Sequence, residues 1–384
     1  MSNYENELSE LVYELNRSKP VVRSGDTALL DRVLIRAAEQ RATDVLLVAG
    51  STVTLRVHGT LMSLATASAG DLLTAESLRQ MLLPLLSAEQ TRALERDRSL
   101  DFCFVRGTSG RFRANLHYQR GTLAATIRIL PAQIPSLDAL HLPGILGRLA
   151  ERKQGLILLT GPTGSGKTST MAAMIDLINA QRRDHIITIE DPIEYQHANR
   201  KSIVEQIEVG YDSPSFAQAV RAVLRQNPDV ILIGEMRDAE TMAAALTAAE
   251  TGHLVLSSLH TNDTAQTMSR LLDSFPASNQ AQIRQQLSLA LLAVIAQQLV
   301  PAAAPAGLYP AVEILVATPA IRNLIRTGQD HQIRSHITTG QRDGMVTMDQ
   351  SLAELVRARS ISQETAMVHS HHLSELRLHL NLPG

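Results

Sequence analysis

The sequence predicts an α/β protein of two domains, in which a small α+β domain precedes a domain built on a parallel sheet. Three observations predict this fold class. The chain has 384 residues, a length that suits two domains. Its second half alternates short apolar runs with helical patterns, which is typical of parallel strands joined by helices. A glycine-rich turn joins one of these runs to a helix.

The first domain is predicted from a change of hydrophobic period. Residues 8–15 and 30–37 place apolar side chains on one helical face, whereas residues 53–57 alternate apolar and polar side chains as a strand does. Thr74 and Ser87 are typical of helix starts, because a hydroxyl there can accept a hydrogen bond from the first helical turn.

Further strands follow before a proline-bearing linker. Phe112 begins an alternating apolar face, and Arg111 and Arg113 lie on the opposite face. Arg128 lies on the polar face of the next strand, and the segment Pro131–Pro143 indicates a linker. We therefore expect an N-terminal extension at 1–26, a first domain at 27–135 and a second domain at 136–384.

Four apolar runs predict the strands of the second domain. Near-continuous apolar runs are expected where a parallel strand is buried on both faces. The runs are Gly155–Thr160, Ile186–Ile189, Val230–Ile233 and Leu254–Leu256.

The overall composition argues against two classes of protein. A hydrophobic fraction of 44% is too high for a disordered chain. With 36 Lys and Arg against 38 Asp and Glu, the chain has no strong positive field to hold a polyanion. Aromatic residues make up only 3% and provide no stacking platform, so we expect no nucleic-acid partner.

The cysteine count and the hydropathy of the chain bear on its cellular location. The single cysteine, Cys103, excludes an intrachain disulfide and a multi-cysteine zinc site, and it fits a reducing compartment. The acidic N-terminal segment lacks the apolar run of a signal peptide. The most apolar stretch, Leu287–Val300, is shorter than a membrane span. We expect a cytoplasmic protein.

The segment GPTGSGKT, which starts at Gly161, predicts a phosphate-binding loop. It follows a predicted strand and opens a predicted helix, as such a loop requires. Its glycines allow a tight turn, and backbone N–H groups at the helix start attract phosphate. Lys167 would reach the outer phosphates and the Thr168 hydroxyl would bind magnesium. The candidate nucleotide-binding residues are Gly161, Thr163, Gly164, Ser165, Gly166, Lys167, Thr168 and Ser169.

Three further segments place chemistry-bearing residues at strand ends. Glu235 follows an apolar strand, where a carboxylate can lie beside magnesium. Glu190, Asp191 and Glu194 follow another strand, and spacing alone does not select among them for orienting water. His260 ends a third strand, where it would sense the γ-phosphate by hydrogen bonding.

In this order the segments resemble the secretion-superfamily ATPases. The resemblance covers about residues 27–360 and rests on GPTGSGKTST, TIEDPIEY, PDVILIGEMRDAET and LTAAETGHLVLSSLHTND. The segment AIRNLIR at Ala320–Arg326 and the later GMVTMD favour the PilT-like branch, the type IV pilus retraction ATPases.

The resemblance implies a fold and a set of site residues. It implies a PAS-like N-terminal α+β domain, then a RecA-like P-loop ATPase domain with C-terminal helices, and ATP and Mg²⁺ as cofactors. By motif position, Glu190 would activate water, and Glu235 would be the acidic metal-site residue together with Thr168. His253 would join the nucleotide-binding set and His260 the catalytic set. Three arginines would neutralise phosphate charge, namely Arg111, Arg113 and Arg128.

The resemblance also implies a function and partners. The expected protein is a hexameric ATPase motor for pilus retraction and twitching motility, peripheral to the inner membrane through the pilus machinery. Its partners would be five further copies, an inner-membrane platform protein and a paralogous pilus ATPase. The alternatives are a pilus-assembly or type II secretion ATPase, or an accessory non-motor ring subunit. Departures from the family pattern keep the accessory alternative open. Thr327 stands where the family usually has a glutamate, and the run that begins at Thr43-Asp44 lacks the family's histidine.

The segment Ala320–Arg326 itself predicts an amphipathic helix. Its three large aliphatic residues share an apolar face, whereas Arg322 and Arg326 lie four residues apart on another face. We expect both arginines to be exposed to solvent and to contribute little to stability.

Overall fold

The computed structural model describes residues 28–57, 59–64, 72–106, 110–303 and 307–382. These residues form two compact units, and the division falls between Ala132 and Gln133. The predicted extension at 1–26 and the predicted helix at 8–15 lie outside the described residues.

The described residues of the first unit form three α-helices and a six-stranded antiparallel sheet. Its strands follow the order β3-β2-β1-β6-β5-β4. The helices are α1 (Ala28–Glu39), α2 (Ala75–Leu82) and α3 (Ala88–Asp97). The strands are β1 (Asp44–Leu47), β2 (Thr54–Val57), β3 (Thr60–Ser63), β4 (Ser99–Arg106), β5 (Gly110–Gln119) and β6 (Thr122–Ile129).

Local sequence explains where these elements begin and which face they bury. Thr74 and Ser87 are the N-caps of α2 and α3, as predicted, and each forms a capping box with the third residue of its helix. On β5 the side chain of Phe112 is fully buried, and the alternate apolar residues after it face the same core. The predicted amphipathic pattern of residues 30–37 is confirmed, because the apolar face of α1 is buried.

The second unit is built on a seven-stranded sheet in the order β13-β12-β7-β11-β10-β8-β9. All neighbouring strands are parallel except β12 and β13, which are antiparallel. The strands are β7 (Gly155–Thr160), β8 (His185–Glu190), β9 (Ile203–Glu208), β10 (Val230–Ile233), β11 (Leu254–Leu259), β12 (Leu291–Pro301) and β13 (Leu308–Val316).

Helices accompany this sheet along the chain. The first seven are α4 (Ile145–Ala150), α5 (Lys167–Gln181), α6 (Phe216–Val223), α7 (Ala239–Glu250), α8 (Thr264–Asp273), α9 (Ala277–Ala290) and α10 (Pro319–Thr327). Towards the carboxyl end follow α11 (Ile333–Thr339), α12 (Met348–Arg357), α13 (Gln363–His369) and α14 (Leu373–His379).

The central strands are buried on both faces. Along β7, Leu156 and Leu158 belong to one hydrophobic cluster, and Ile157 and Leu159 belong to another on the opposite face. Helix α5 contributes to the second cluster, whereas α7, α8, α9 and α10 contribute to the first. The predicted α/β class with C-terminal helices is therefore confirmed.

The most apolar stretch of the sequence is part of this core. Leu287–Val300 spans the end of α9 and most of β12, which lies between β7 and β13. Its apolar character follows from burial on both faces of the sheet. Among the described residues, no helix combines the length and the apolar character that crossing a membrane requires.

Candidate nucleotide site at the carboxyl edge of the second sheet

The strand order brings four predicted motifs to one edge. Strands β7, β11, β10 and β8 are consecutive neighbours, and all four run in the same direction. Their carboxyl ends lead into the glycine-rich loop, His260 and Glu235, while Glu190 is the last residue of β8. Open parallel sheets bind ligands at this edge.

The glycine-rich loop has the backbone conformation that its glycines permit. Gly161, Gly164 and Gly166 have φ values of 142°, 81° and 88°, which favour glycine. A Cβ at Gly161 would lie 2.1 Å from the carbonyl oxygen of Gln297, and a Cβ at Gly166 would lie 2.8 Å from its Nε2. The loop thus packs directly on β12, and Gly166 is the N-cap of α5.

Lys167 is the first residue of α5, and its ammonium group lies within the loop. Its Nζ donates hydrogen bonds to the carbonyl oxygens of Gly161 (2.8 Å) and Pro162 (2.9 Å). Burial lowers the pKa of Lys167, and the negative charge of Glu235 acts in the opposite direction. The lysine therefore places its charge between the loop and the acidic strand end.

The other loop residues differ in exposure. Thr163 is exposed and Thr168 is half-buried. Ser165 is buried, and its Oγ has no hydrogen-bond partner among the described residues. The Ser169 hydroxyl lies 2.8 Å from the hydroxyl of Tyr195, which belongs to the loop after β8. An orphaned hydroxyl and a cradle without Cβ atoms fit a phosphate-binding loop.

Gln297 supports this loop and was not identified from the sequence. Its Nε2 donates to the carbonyl oxygen of Ser165 (2.8 Å), and its Oε1 accepts from the hydroxyl of Thr170 (2.9 Å). Gln297 and Thr170 are both buried, so each polar atom depends on the other for a partner. The local signal for Gln297 is its polarity within a predominantly apolar run, and Gln298 beside it carries the same signal.

The structure distinguishes the three carboxylates after β8. Glu190 is 8% exposed, whereas Asp191 is exposed and Glu194 is half-buried. Burial raises the pKa of Glu190 to about 7, although hydrogen bonds to the carboxylate oppose that rise. Oε1 of Glu190 accepts from the Thr188 hydroxyl (2.7 Å) and from Nε2 of Gln206 (3.1 Å). This group can act as a proton acceptor near neutral pH.

The Glu235 carboxylate contacts the side chains of Arg237 and His260. Its Oε1 is 2.7 Å from the Arg237 guanidinium, and its Oε2 is 3.3 Å from Nε2 of His260. The Glu235 carboxylate and the Thr168 hydroxyl are oxygen donors of the kind Mg²⁺ prefers. Within the described residues, no group of three or more His, Cys, Asp or Glu could hold a metal ion. Two oxygen donors of this kind are compatible with Mg²⁺, which usually keeps several waters and binds substrate phosphates as well.

The structure places His253 at the opposite edge of the sheet from the glycine-rich loop of its own chain, and its nucleotide-binding role remains a prediction. His253 precedes Leu254, the first residue of β11, so it lies at the amino edge of the sheet. Its Nδ1 is 2.9 Å from the carbonyl oxygen of Ala248, near the end of α7. The two histidines lie at opposite ends of one strand.

The three predicted arginines belong to the first unit. Arg113 and Arg128 are cross-strand neighbours on β5 and β6. Arg128 pairs with the buried Asp44 (3.0 Å), and Arg111 lies on the same strand as Arg113. Their predicted role at a phosphate site remains a prediction.

The expectation that Arg322 is a solvated surface arginine is wrong. Its aliphatic neighbours pack α10 in the core as predicted, but Arg322 is half-buried. Its guanidinium donates to the carbonyl oxygens of Ser288 (2.7 Å) and Leu289 (2.5 Å), at the carboxyl end of α9, and burial lowers its pKa. Arg326 is exposed, as expected.

Fold and site define the class of P-loop α/β proteins, and comparison with known families identifies the family within it. The model of the type II/IV secretion system protein family matches residues 27–377, and the chain belongs to that family.

Named relatives are similar over most of the chain. The twitching motility protein of Neisseria gonorrhoeae is 44% identical over 312 residues, which cover 81% of this chain and 82% of that protein. The type IV pilus ATPase PilU of Pseudomonas aeruginosa is 38% identical over 352 residues, covering 92% and 91%. The crystal structure of the pilus retraction motor PilT with bound ADP matches with a TM-score of 0.84 and 43% identity, covering 93% of this chain and 100% of that one.

Proposed function

We propose that this chain is an ATP-hydrolysing motor subunit that powers type IV pilus retraction. The observation that carries the proposal is the convergence of the glycine-rich loop, His260, Glu235 and Glu190 at one sheet edge. The similarity to the twitching motility protein and to the PilT structure spans both units and supports the same activity.

ATP would bind through the glycine-rich loop. The backbone N–H groups at the start of α5 and the Lys167 ammonium would contact the phosphates. Thr168 and Glu235 would hold Mg²⁺, whose charge would stabilise the negative charge that develops on the phosphate oxygens. His260, which contacts Glu235, would respond to the γ-phosphate.

Hydrolysis would use Glu190 as the residue that orients and deprotonates water. A carboxylate with a pKa near 7 is ionised in a large fraction of molecules at neutral pH and still accepts a proton readily. The rest of the rate acceleration would come from positioning the reactants and neutralising phosphate charge, which dominate the catalysis of phosphoryl transfer.

The working assembly would be a homohexamer at the cytoplasmic face of the inner membrane, docked on the pilus platform protein. Arg111, Arg113 and Arg128 would neutralise phosphate charge at a subunit boundary. Mixing Arg113→Ala chains with Lys167→Ala chains tests this arrangement, because some boundaries then hold two intact halves. Recovered ATPase activity supports action between subunits, and no recovery in confirmed mixed rings contradicts it.

A second candidate is an accessory retraction subunit that works beside a paralogous motor. Pseudomonas aeruginosa has two type IV pilus ATPases similar to this chain, PilU and PilT, so two paralogous pilus ATPases can occur in one organism. A deletion strain complemented with the native chain or with Lys167→Ala separates the candidates. Excess pili without twitching in the deletion strain support retraction, whereas loss of pili indicates assembly. Twitching restored by Lys167→Ala would indicate an accessory role that needs no hydrolysis.

A further inference from the structure

The edge strand β9 directs polar side chains at the loop that follows Glu190. It pairs with β8 in parallel, with Gln206 opposite Thr188 and Glu208 opposite Glu190. Glu208 accepts a hydrogen bond from the backbone N–H of Ile193 (3.1 Å). The side chain of Glu205, the residue before Gln206, instead pairs with His185.

The amide of Gln206 contacts three different groups. Its Nε2 donates to Oε1 of Glu190 (3.1 Å) and to the carbonyl oxygen of Tyr195 (2.9 Å). Its Oε1 accepts from the backbone N–H of His197 (2.8 Å). One half-buried side chain thus binds both the carboxylate and the loop beyond it.

These contacts restrict how the Glu190 carboxylate can rotate. Two donors, the Thr188 hydroxyl and the Gln206 amide, reach the same oxygen from two strands. The terminal torsion of a glutamate is otherwise broad, so an unsupported carboxylate samples many orientations. Reaction rates depend strongly on the alignment of a proton acceptor with its water.

The same amide also connects Glu190 to the phosphate-binding helix. The Tyr195 carbonyl accepts from Gln206, and the Tyr195 hydroxyl lies 2.8 Å from the Ser169 hydroxyl on α5. Tyr195 is buried, so both of its hydrogen bonds are shielded from water. The distance between Glu190 and the start of α5 is therefore set in part through Gln206.

We propose that Gln206 is a positioning residue for ATP hydrolysis, which holds the Glu190 carboxylate in register with the phosphate-binding helix. The proposal rests on the proposed function, because it needs Glu190 to activate water. Gln206 touches neither nucleotide nor water in this role. It acts through Glu190 and through the loop that Tyr195 anchors.

The test uses Gln206→Met, which keeps the length of the side chain and removes its hydrogen bonds. The control is Glu205→Gln, on the same strand with its side chain directed at His185. We expect Gln206→Met to lower kcat roughly 10-fold to 100-fold, since small misplacements have effects of that size. The KM for ATP and the affinity for ADP should stay within about twofold, because no phosphate contact changes. Glu205→Gln should leave kcat unchanged.

A double-mutant cycle separates positioning from general destabilisation. In a Glu190→Gln background, measured by single-turnover hydrolysis, Gln206→Met should have little further effect because the group it positions is gone. An equal loss in both backgrounds, or an unchanged kcat in the folded single variant, overturns the proposal. If Gln206→Met fails to fold, Gln206→Asn keeps a polar amide but is one methylene too short to reach both Glu190 and the Tyr195 carbonyl, and a loss of kcat in the same direction is expected. Full activity of Glu190→Gln alone would instead refute the role of Glu190.

Discussion

The Oε1 atom of Gln297 lies 2.9 Å from the hydroxyl of Thr170, which joins β12 to the first turns of the phosphate-binding helix. The other end of the same amide holds the Ser165 carbonyl. The shape of the glycine-rich loop therefore depends on a strand that enters the sheet far later in the sequence.

Gln297→Leu should weaken nucleotide binding while leaving the chain folded. The substitution leaves Thr170 and the Ser165 carbonyl without their buried partner, at a cost of about 1–3 kcal/mol. Part of that cost should appear as reduced ADP affinity, measured by calorimetry, because the loop loses its support. Gln298→Leu is the control, since Gln298 contacts His369 and not the loop. Equal ADP affinity in both variants would contradict this role.

Glu190→Gln should bind ATP and hydrolyse it slowly. The amide keeps the size of the side chain but cannot accept a proton, and loss of a general base lowers kcat by roughly 10²–10⁴. Glu194→Gln, four residues further along the chain, is the matched comparison and should retain most of its activity. Phosphate release and nucleotide affinity are measured on both. A slow Glu194→Gln beside an active Glu190→Gln would reverse the assignment.

The rate should also depend on pH in a defined direction. Because burial raises the pKa of Glu190 to about 7 and the base must be ionised, kcat should fall as the pH drops below that value. The measurement is kcat at saturating ATP and Mg²⁺, with the residual activity of Glu190→Gln as the control. That residual activity should lack the acid limb. A native profile that stays flat below neutral pH would argue against Glu190.

Arg322→Ala should destabilise the protein, and Arg326→Ala should not. Arg322 donates to carbonyl groups at the carboxyl end of α9, and hydrogen bonds from charged groups contribute about 1.5–3 kcal/mol. Arg326 is exposed, and its loss should change the free energy of unfolding by less than about 0.5 kcal/mol. Thermal unfolding of both variants measures the difference. Equal melting temperatures would show that the Arg322 contacts are energetically unimportant.

Local sequence patterns were sufficient to predict the phosphate-binding loop and several strands. The glycine spacing predicts the turn after β7 because each glycine has its own backbone requirement. Strand β10 matches its predicted apolar run, Val230–Ile233. In such segments a few neighbouring residues determine the local backbone structure.

Relationships between distant segments could not be predicted in this way. Gln297 and Thr170 are separated by 127 positions, and only the strand order makes them neighbours. Edge strand β9 has no apolar run, so its support of Glu190 left no signal in the sequence. The partial burial of Arg322 could not be predicted either, because its hydrogen-bond acceptors are carbonyl groups at the carboxyl end of α9.

The packing of the loop on β12 limits which sequences the loop can tolerate. A Cβ at Gly161 would overlap the backbone carbonyl of Gln297, and a Cβ at Gly166 would displace the Gln297 amide that supports the loop. Gly164 differs, since a Cβ there would meet nothing within 4 Å and only its φ of +81° restricts it. Asparagine adopts that conformation more readily than most residues. Among the three loop glycines, natural variation should therefore be tolerated best at Gly164, whereas a substitution at Gly161 or Gly166 would also disturb the packing of the loop on β12.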